Sequence, residues 1–229
     1  MRLRLCSYNI RKAVGLDWRR DPERVLSILR DIRPDIAVLQ EADRRLGPRH
    51  SVLPAQMVAE LTGLVPVVTP GSEVSMGWHG NALLMRPGID LIGLDGLVLP
   101  GLEPRGALIA DVDVGGAHLA LAAVHLGLRR ANRLIQLDTV VERLKETRAS
   151  ARLIAGDWNE WRANGVPSLG EDYRILTPGP SFHARAPMAA LDRVAISGRI
   201  RERSMSVWTE GAARIASDHL PIVVDLHLD

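Results

Sequence analysis

Apolar runs too short to be helices, each stopping on a polar side chain, recur along this chain. The clearest is Leu153-Ile154-Ala155-Gly156, which gives way at once to Asp157-Trp158-Asn159-Glu160. A short apolar run closed by turn formers reads as a buried strand. Asp157 and Asn159 then stand two apart, just past the strand's end. In open α/β architectures ligands gather where strands finish and loops begin. A carboxylate and a carboxamide there offer oxygen donors to a hard cation and hydrogen bonds to a phosphate. Asp-Trp-Asn on its own describes a turn equally well, so the weight falls on whether the pattern repeats.

It does repeat. Residues 3–10 read as a strand ending in Ser7-Tyr8-Asn9-Ile10. Asp21-Pro22-Glu23 opens a helix, with Asp as N-cap and Pro at the first position, and Val25, Leu26, Leu29 and Ile32 follow at helical spacing before Pro34. Ile36-Ala37-Val38-Leu39 is a buried strand that ends in Gln40-Glu41. A short helix over 54–61 closes on Gly63, and a strand follows over 64–68. Residues 72–79 have no period and read as a loop; Asn81-Ala82-Leu83-Leu84-Met85 is a strand beginning on Asn81. Residues 89–99 form an edge strand or hairpin arm. Arg105-Gly106 then leads a strand that turns at Gly115-Gly116 and returns to Val124-His125.

The longest helix spans 129–148, with an apolar stripe of Leu134, Leu137, Val140, Val141 and Leu144 and a basic face turned to solvent. Residues 160–190 form an irregular, Pro- and Gly-containing stretch of the kind that builds functional rims. Leu191-Asp192-Arg193-Val194-Ala195-Ile196 and residues 200–207 are strands. The chain closes on Ser217-Asp218-His219 and a period of two through Leu220, Ile222, Val224, Leu226 and Leu228. Many strands, few helices, and hairpins mixed with βα steps imply a mixed sheet, or two packed sheets, with helices outside.

Composition narrows the class. The 229 residues suit one domain spanning 1–229, without repeat or linker, and the 46% apolar content fits a sizeable core. The 29 Lys and Arg against 27 Asp and Glu argue against a broad nucleic-acid-coating surface. Cys6 is the only cysteine, which excludes an intrachain disulfide and points to a reducing compartment; it reads as a small buried residue. Neither a signal peptide nor an 18-residue apolar span is seen. The expectation is a cytoplasmic, monomeric protein, with peripheral membrane contact left open.

The polar residues at strand ends are Asn9, Glu41, His125, Asp157, Asn159, Asp192, Asp218 and His219. Oxygen donors dominate, which favours Mg²⁺ or Mn²⁺ over structural Zn²⁺. A water nucleophile needs a base titrating near neutrality, for which His is suited, and a His base needs a carboxylate to fix its tautomer.

The ordered set Ser7-Tyr8-Asn9-Ile10, Leu39-Gln40-Glu41, Gly80-Asn81-Ala82, His125-Leu126-Gly127, Gly156-Asp157-Trp158-Asn159-Glu160, Leu191-Asp192-Arg193 and Ser217-Asp218-His219-Leu220-Pro221 resembles the endonuclease/exonuclease/phosphatase superfamily of metal-dependent phosphoesterases. The resemblance implies an α/β (α+β) fold, a four-layer α/β/β/α sandwich of two packed mixed sheets. It implies a Mg²⁺-dependent phosphodiesterase or phosphatase, with Mn²⁺ as the alternative ion. Glu41 is then the principal metal ligand, with Asn9 beside it and Asp218 as a further carboxylate. Asp157 and Asn159 position the water and hold the phosphate. His219 is general base or phosphate-polarising group, oriented by Asp192, and His125 donates to a phosphate oxygen or the leaving group. Arg105, Asn81 and Asn159 are the substrate-contact candidates; Arg129, Arg130, Arg133 and Arg185 also lie beside motif segments.

Two departures bear on substrate. Abasic-site endonucleases carry a tyrosine where this chain has His125. Deoxyribonucleases support the second His with a glutamate, and Glu73 is too far upstream of Asn81 to serve. The near-neutral charge favours a phospholipid-like or small phosphoester over duplex DNA; a DNA endonuclease or exonuclease is the alternative, and an inactive phospho-ligand-binding domain is the non-enzyme reading. Trp158 and Trp161 read as core or rim packing before base stacking or lipid contact.

Overall fold

The computed structural model describes residues 1–44, 47–68, 74–162 and 165–229. Two mixed sheets lie face to face. The first contains β1 (Arg2–Asn9), β2 (Ile36–Gln40), β3 (Val65–Val67), β4 (Gly77–Trp78), β5 (Asn81–Met85), β12 (Ile200–Val207) and β13 (Ile222–Leu228), in the order β12-β13-β1-β2-β5-β3 with β4 on β5. The second contains β6 (Asp90–Leu99), β7 (Arg105–Val114), β8 (Ala117–His125), β9 (Ala151–Asp157), β10 (Tyr173–Leu176) and β11 (Asp192–Gly198), in the order β10-β11-β9-β8-β7-β6.

Side-chain alternation separates three apolar layers. Leu3, Leu5, Ile36, Val38 and Leu83 of the first sheet meet Leu108, Leu121, Leu153 and Val194 of the second between the sheets. The opposite face of the first sheet, including Cys6, Tyr8, Ala37 and Leu39, is covered by α1 (Pro22–Ile32), α2 (Ala55–Thr62) and the short α4 (Ala213–Ala216). The outer face of the second sheet packs Ala122, Val124 and Ile154 on Leu137, Val140 and Leu144 of α3 (Arg130–Lys145). The result is the expected α/β/β/α sandwich. Asp21 caps α1, its carboxylate accepting from the Arg24 amide at 3.0 Å, with Pro22 at the first position. None of the helices among the described residues is long and apolar enough to cross a membrane.

Three local expectations change. Residues 173–176, within the stretch expected to be irregular, pair antiparallel with β11 as β10. Gly77 and Trp78 of the expected loop pair with β5, while Ser72 and Glu73 lie outside the described residues. The long helix stops at Lys145, where the Thr147 hydroxyl closes on the Leu144 carbonyl at 2.8 Å.

Strand direction places the site. β1 and β2 are parallel and β13 opposes β1, so the ends of β1 and β2 and the start of β13 share one edge. β8 and β9 are parallel and β7 and β11 oppose them, so their corresponding termini share an edge too. The two edges lie together, joined by a hydrogen bond from the Asn9 amide to Asp157.

Candidate active site

Asp157 is the centre. It sits 2% exposed at the end of β9. Its Oδ2 accepts from Asn9 Nδ2 at 3.1 Å and its Oδ1 accepts from the Asn159 backbone N–H at 2.9 Å. His125 Nε2 lies 3.5 Å and His219 Nε2 3.7 Å from the same Oδ2. A carboxylate from one sheet is thus held between an amide from the other sheet and two imidazoles.

Gly156 is what lets Asp157 stand there. Gly156 has φ +151°, and a Cβ on it would come within 1.8 Å of the Val124 carbonyl oxygen on neighbouring β8. Only glycine keeps the parallel β8–β9 pair intact up to His125 and Asp157, which are register partners. Backbone strain gathers at the same edge. Glu41, Asn159 and the consecutive Arg11, Lys12 and Ala13 all have positive φ, a conformation costing side-chain-bearing residues about 1–3 kcal/mol each. At Asn159 the strained turn is fixed by Nδ2 donating to the Leu126 carbonyl at 2.8 Å.

His219 is held from the far side. Its Nδ1 lies 2.8 Å from Asp192 Oδ2, and the Ser181 hydroxyl donates to the same oxygen. Asp192 is fully buried. The Ser217 hydroxyl donates to the Asn9 carbonyl at 2.7 Å and accepts from the His219 amide at 3.2 Å, which ties the last strand to the first. Phe182 packs its ring 5.0 Å from the imidazole. Burial alone would lower the His219 pKa, but the Asp192 and Asp157 carboxylates outweigh it and raise the value to about 10. His219 therefore keeps its proton at neutral pH.

Asn9, Glu41, Arg105, His125, Asp157, Asn159, Asp218 and His219 all line one cleft of about 220 Å³, together with Glu103 and Leu128. Residues from six strand ends or starts, far apart in sequence, thus converge as their residue types suggested. Asn81 does not line it. Its side chain is fully buried and donates to the Gly106 carbonyl at 2.8 Å and the Trp78 carbonyl at 3.3 Å. It pins β5 to β7 beside Arg105, a support rather than a substrate contact. Gly106 permits this closeness, since a Cβ there would lie 2.7 Å from the Trp78 ring. Arg133 is also displaced from the expected surface role. It is buried and pairs with buried Glu160 at 2.6 Å. Trp158 is buried and Trp161 exposed.

The pattern reading missed Lys12. Lys12 follows Asn9 by three residues, and the left-handed turn returns its ammonium onto the Glu41 carboxylate. The Ser181-Phe182-His183-Ala184-Arg185 loop reads in sequence as a pocket border; in the fold Ser181 is buried behind the site, its hydroxyl on Asp192.

The chain matches the Endonuclease/Exonuclease/phosphatase family over residues 6–219. It belongs to that family. Among curated relatives, the uncharacterized protein YbhP of Escherichia coli is 32% identical over 167 residues, covering 66% of this chain and 64% of YbhP. Among solved structures, the endonuclease/exonuclease/phosphatase of Bacteroides vulgatus superposes with TM-score 0.77 at 16% identity over the full length of both chains. The Beutenbergia cavernae member gives 0.72 at 22% identity, covering 99% of this chain and 72% of that one. D. rerio TDP2, solved in complex with a single-strand DNA product, gives 0.71 at 17% identity over 99% of each. These likenesses carry the fold.

Members of this family generally use divalent metals. The donor chemistry here suits a hard cation: Glu41, Asp218 and Asn9 line the same cleft, the Asn9 carboxamide oxygen also accepting from the Arg11 backbone N–H at 3.1 Å. Among the described residues no three His, Cys, Asp or Glu side chains form a ready ion cage. The carboxamide and water would complete the coordination, as befits an ion that keeps several waters. Glu41 is meanwhile neutralised by Lys12, and Asp218 lies 3.5 Å from the Arg11 guanidinium.

Proposed function

We propose that this chain is a metal-dependent phosphoric ester hydrolase that directs water onto phosphorus. The observation that carries the reading is Asp157, fixed by Asn9 and Asn159 and facing both His125 and His219. Glu41, Asn9 and Asp218 would hold Mg²⁺ or Mn²⁺, which when bound neutralises phosphate charge and lowers the pKa of attached water.

The remaining work falls to the chain's own side chains. Asp157 accepts the proton of the attacking water, its orientation set by two donated hydrogen bonds. His219, protonated and locked by Asp192, donates to a phosphoryl oxygen as negative charge builds there. Asn159 holds the phosphate. His125, on the other side of Asp157, protonates the departing alkoxide as its bond to phosphorus breaks. Arg105, at the start of β7 on the cleft wall, contacts a substrate oxygen. The reading favours a phospholipid-like or small phosphoester as substrate.

The test is hydrolysis of bis(p-nitrophenyl) phosphate with Mg²⁺, Mn²⁺ or EDTA. Metal-dependent turnover is expected in the wild type, with a loss of ~10²–10⁴-fold in Asp157→Ala. Unimpaired turnover in Asp157→Ala would remove the assignment. Stoichiometric binding of phosphate without turnover on any diester, plasmid DNA or phospholipid would replace it with the ligand-binding reading.

A further inference from the structure

Six large apolar side chains among the described residues are more than 60% exposed, and five of them sit on loops at the cleft end of the two sheets: Trp18, Leu102, Leu128, Trp161 and Met188, at 79, 71, 64, 62 and 89%. They come from five different loops. Trp18 lies under the guanidinium of Arg11, itself 3.5 Å from Asp218. Leu102 precedes Glu103 and Leu128 follows the β8 terminus; both Glu103 and Leu128 line the cleft. The Trp161 ring stands 5.3 Å from Phe182, which packs on His219. The Met188 amide donates to the Phe182 carbonyl at 2.8 Å. Scattered single exposed hydrophobics need no explanation, but a ring of them around one mouth does.

The same loops carry exposed arginines beside the apolar tips. Trp18 is followed by Arg19 and Arg20, Leu128 by Arg129 and Arg130, and Trp161 by Arg162, while Arg185 shares a loop with Met188. The acidic residues at the cleft end of these loops do not cancel them; exposed Glu171 and Asp172 adjoin the start of β10, whose partner Ser197 lies at the far end of β11 from Asp192. Glu160 is buried against Arg133, Asp17 is bridged to Arg24, and Glu103 faces the cleft. A net charge of only +2 for the chain conceals this local excess.

We propose that the mouth of the cleft docks on an anionic phospholipid surface, so that the hydrolysed phosphoester is a lipid head group presented by that surface. The substrate half of this inference rests on the phosphoesterase reading; the docking half does not. Arginines meet the negative surface potential and tryptophans favour the interfacial zone. Apolar tips gain by entering the acyl boundary. A single-stranded nucleic acid would satisfy the arginines and the two tryptophans by stacking. It offers nothing to Leu102, Leu128 and Met188, which have no π face and gain only from an apolar interior.

The experiment is co-sedimentation of the whole protein, in EDTA, with vesicles of phosphatidylcholine alone or mixed with phosphatidylglycerol. Tryptophan emission is followed in parallel, and an oligothymidylate is titrated separately. Binding to the anionic vesicles only, weakened by salt and accompanied by a blue shift, is expected. Leu102→Ser/Met188→Ser and Arg19→Gln/Arg162→Gln should each reduce the vesicle-bound fraction tenfold or more. Their hydrolysis of the soluble diester should remain at the wild-type level, which also shows that they fold. Indifference to phosphatidylglycerol, or variants that bind vesicles as the wild type does, would overturn the docking surface. Oligothymidylate binding lost in the arginine variant, with no vesicle binding, would assign the rim to nucleic acid instead. Vesicle binding without any hydrolysis would leave the surface standing and remove the phosphoesterase reading alone.

Discussion

Asp192→Asn isolates the electrostatics of the site from its shape. Asp192 is fully buried, and its Oδ2 serves both Ser181 and His219. The substitution removes the charge while leaving a carbonyl oxygen able to accept both hydrogen bonds. The amide nitrogen takes the place of Oδ1, which has no hydrogen-bond partner among the described residues. A His219 pKa raised from 6.5 to about 10 corresponds to about 5 kcal/mol favouring the protonated folded form. Breaking one partner out of a buried pair costs about 3–5 kcal/mol, a similar figure. Because the His219 value is raised in the fold, its contribution is complete below about 6.5, the unfolded value, and disappears as pH climbs through about 10. Wild-type protein should therefore lose several kcal/mol of stability between those limits from this residue, and Asp192→Asn should have lost most of it already at pH 7. Urea unfolding followed by tryptophan fluorescence at pH 6, 8 and 10, with EDTA present, measures the slope. The imidazole Hε1 resonance of His219 reports its titration directly. A wild-type His219 titrating near 6.5, or equal pH slopes in the two proteins, would refute the argument that Asp192 and Asp157 together hold the proton on the ring.

Other perturbations test the framework around that pair. Gly156→Ala should cost about 3 kcal/mol or more, since the new Cβ collides with the Val124 carbonyl in a backbone conformation alanine resists; the urea midpoint reads it, and an unchanged midpoint would show that β8 and β9 can separate at little cost. Arg133→Met should destabilise by about 3–5 kcal/mol, because Glu160 stays buried without its partner; adding Glu160→Gln should recover part of the loss. Lys12→Met should tighten Mn²⁺ binding, measured by calorimetry, by roughly fivefold, the worth of about 1 kcal/mol for a half-exposed ion pair that no longer competes for Glu41. Weaker binding in that variant would mean the ammonium supports the ion site rather than opposing it.

How much of this was readable beforehand depends on the range of the interaction that fixes each residue. Asn9, Glu41 and Asp157 were legible because their positions follow from local pattern: an apolar strand must end, and the side chain there emerges at the sheet edge; Asp192, at the head of β11, was legible only from its place in the ordered motif set. Their convergence followed from order along the chain, since β1, β2, β8 and β9 carry their termini to one end by parallel pairing. Arg133 and Asn81 went astray for the opposite reason. A basic residue on a helix with a clear apolar stripe reads as solvated, and only the loop after β9, folding back to place Glu160 against the first turn of α3, makes burial of that charge favourable. Asn81 begins a strand, as does the catalytic candidate Asp192, yet its amide is consumed by a carbonyl of the other sheet, and no period within β5 announces which strand of a second sheet will lie beside it. The rim of apolar tips and arginines belongs to the same class. Each tip is unremarkable in its own loop, and the meaning lies in five loops meeting around one cleft, a fact of topology that a chain of near-neutral net charge averages away.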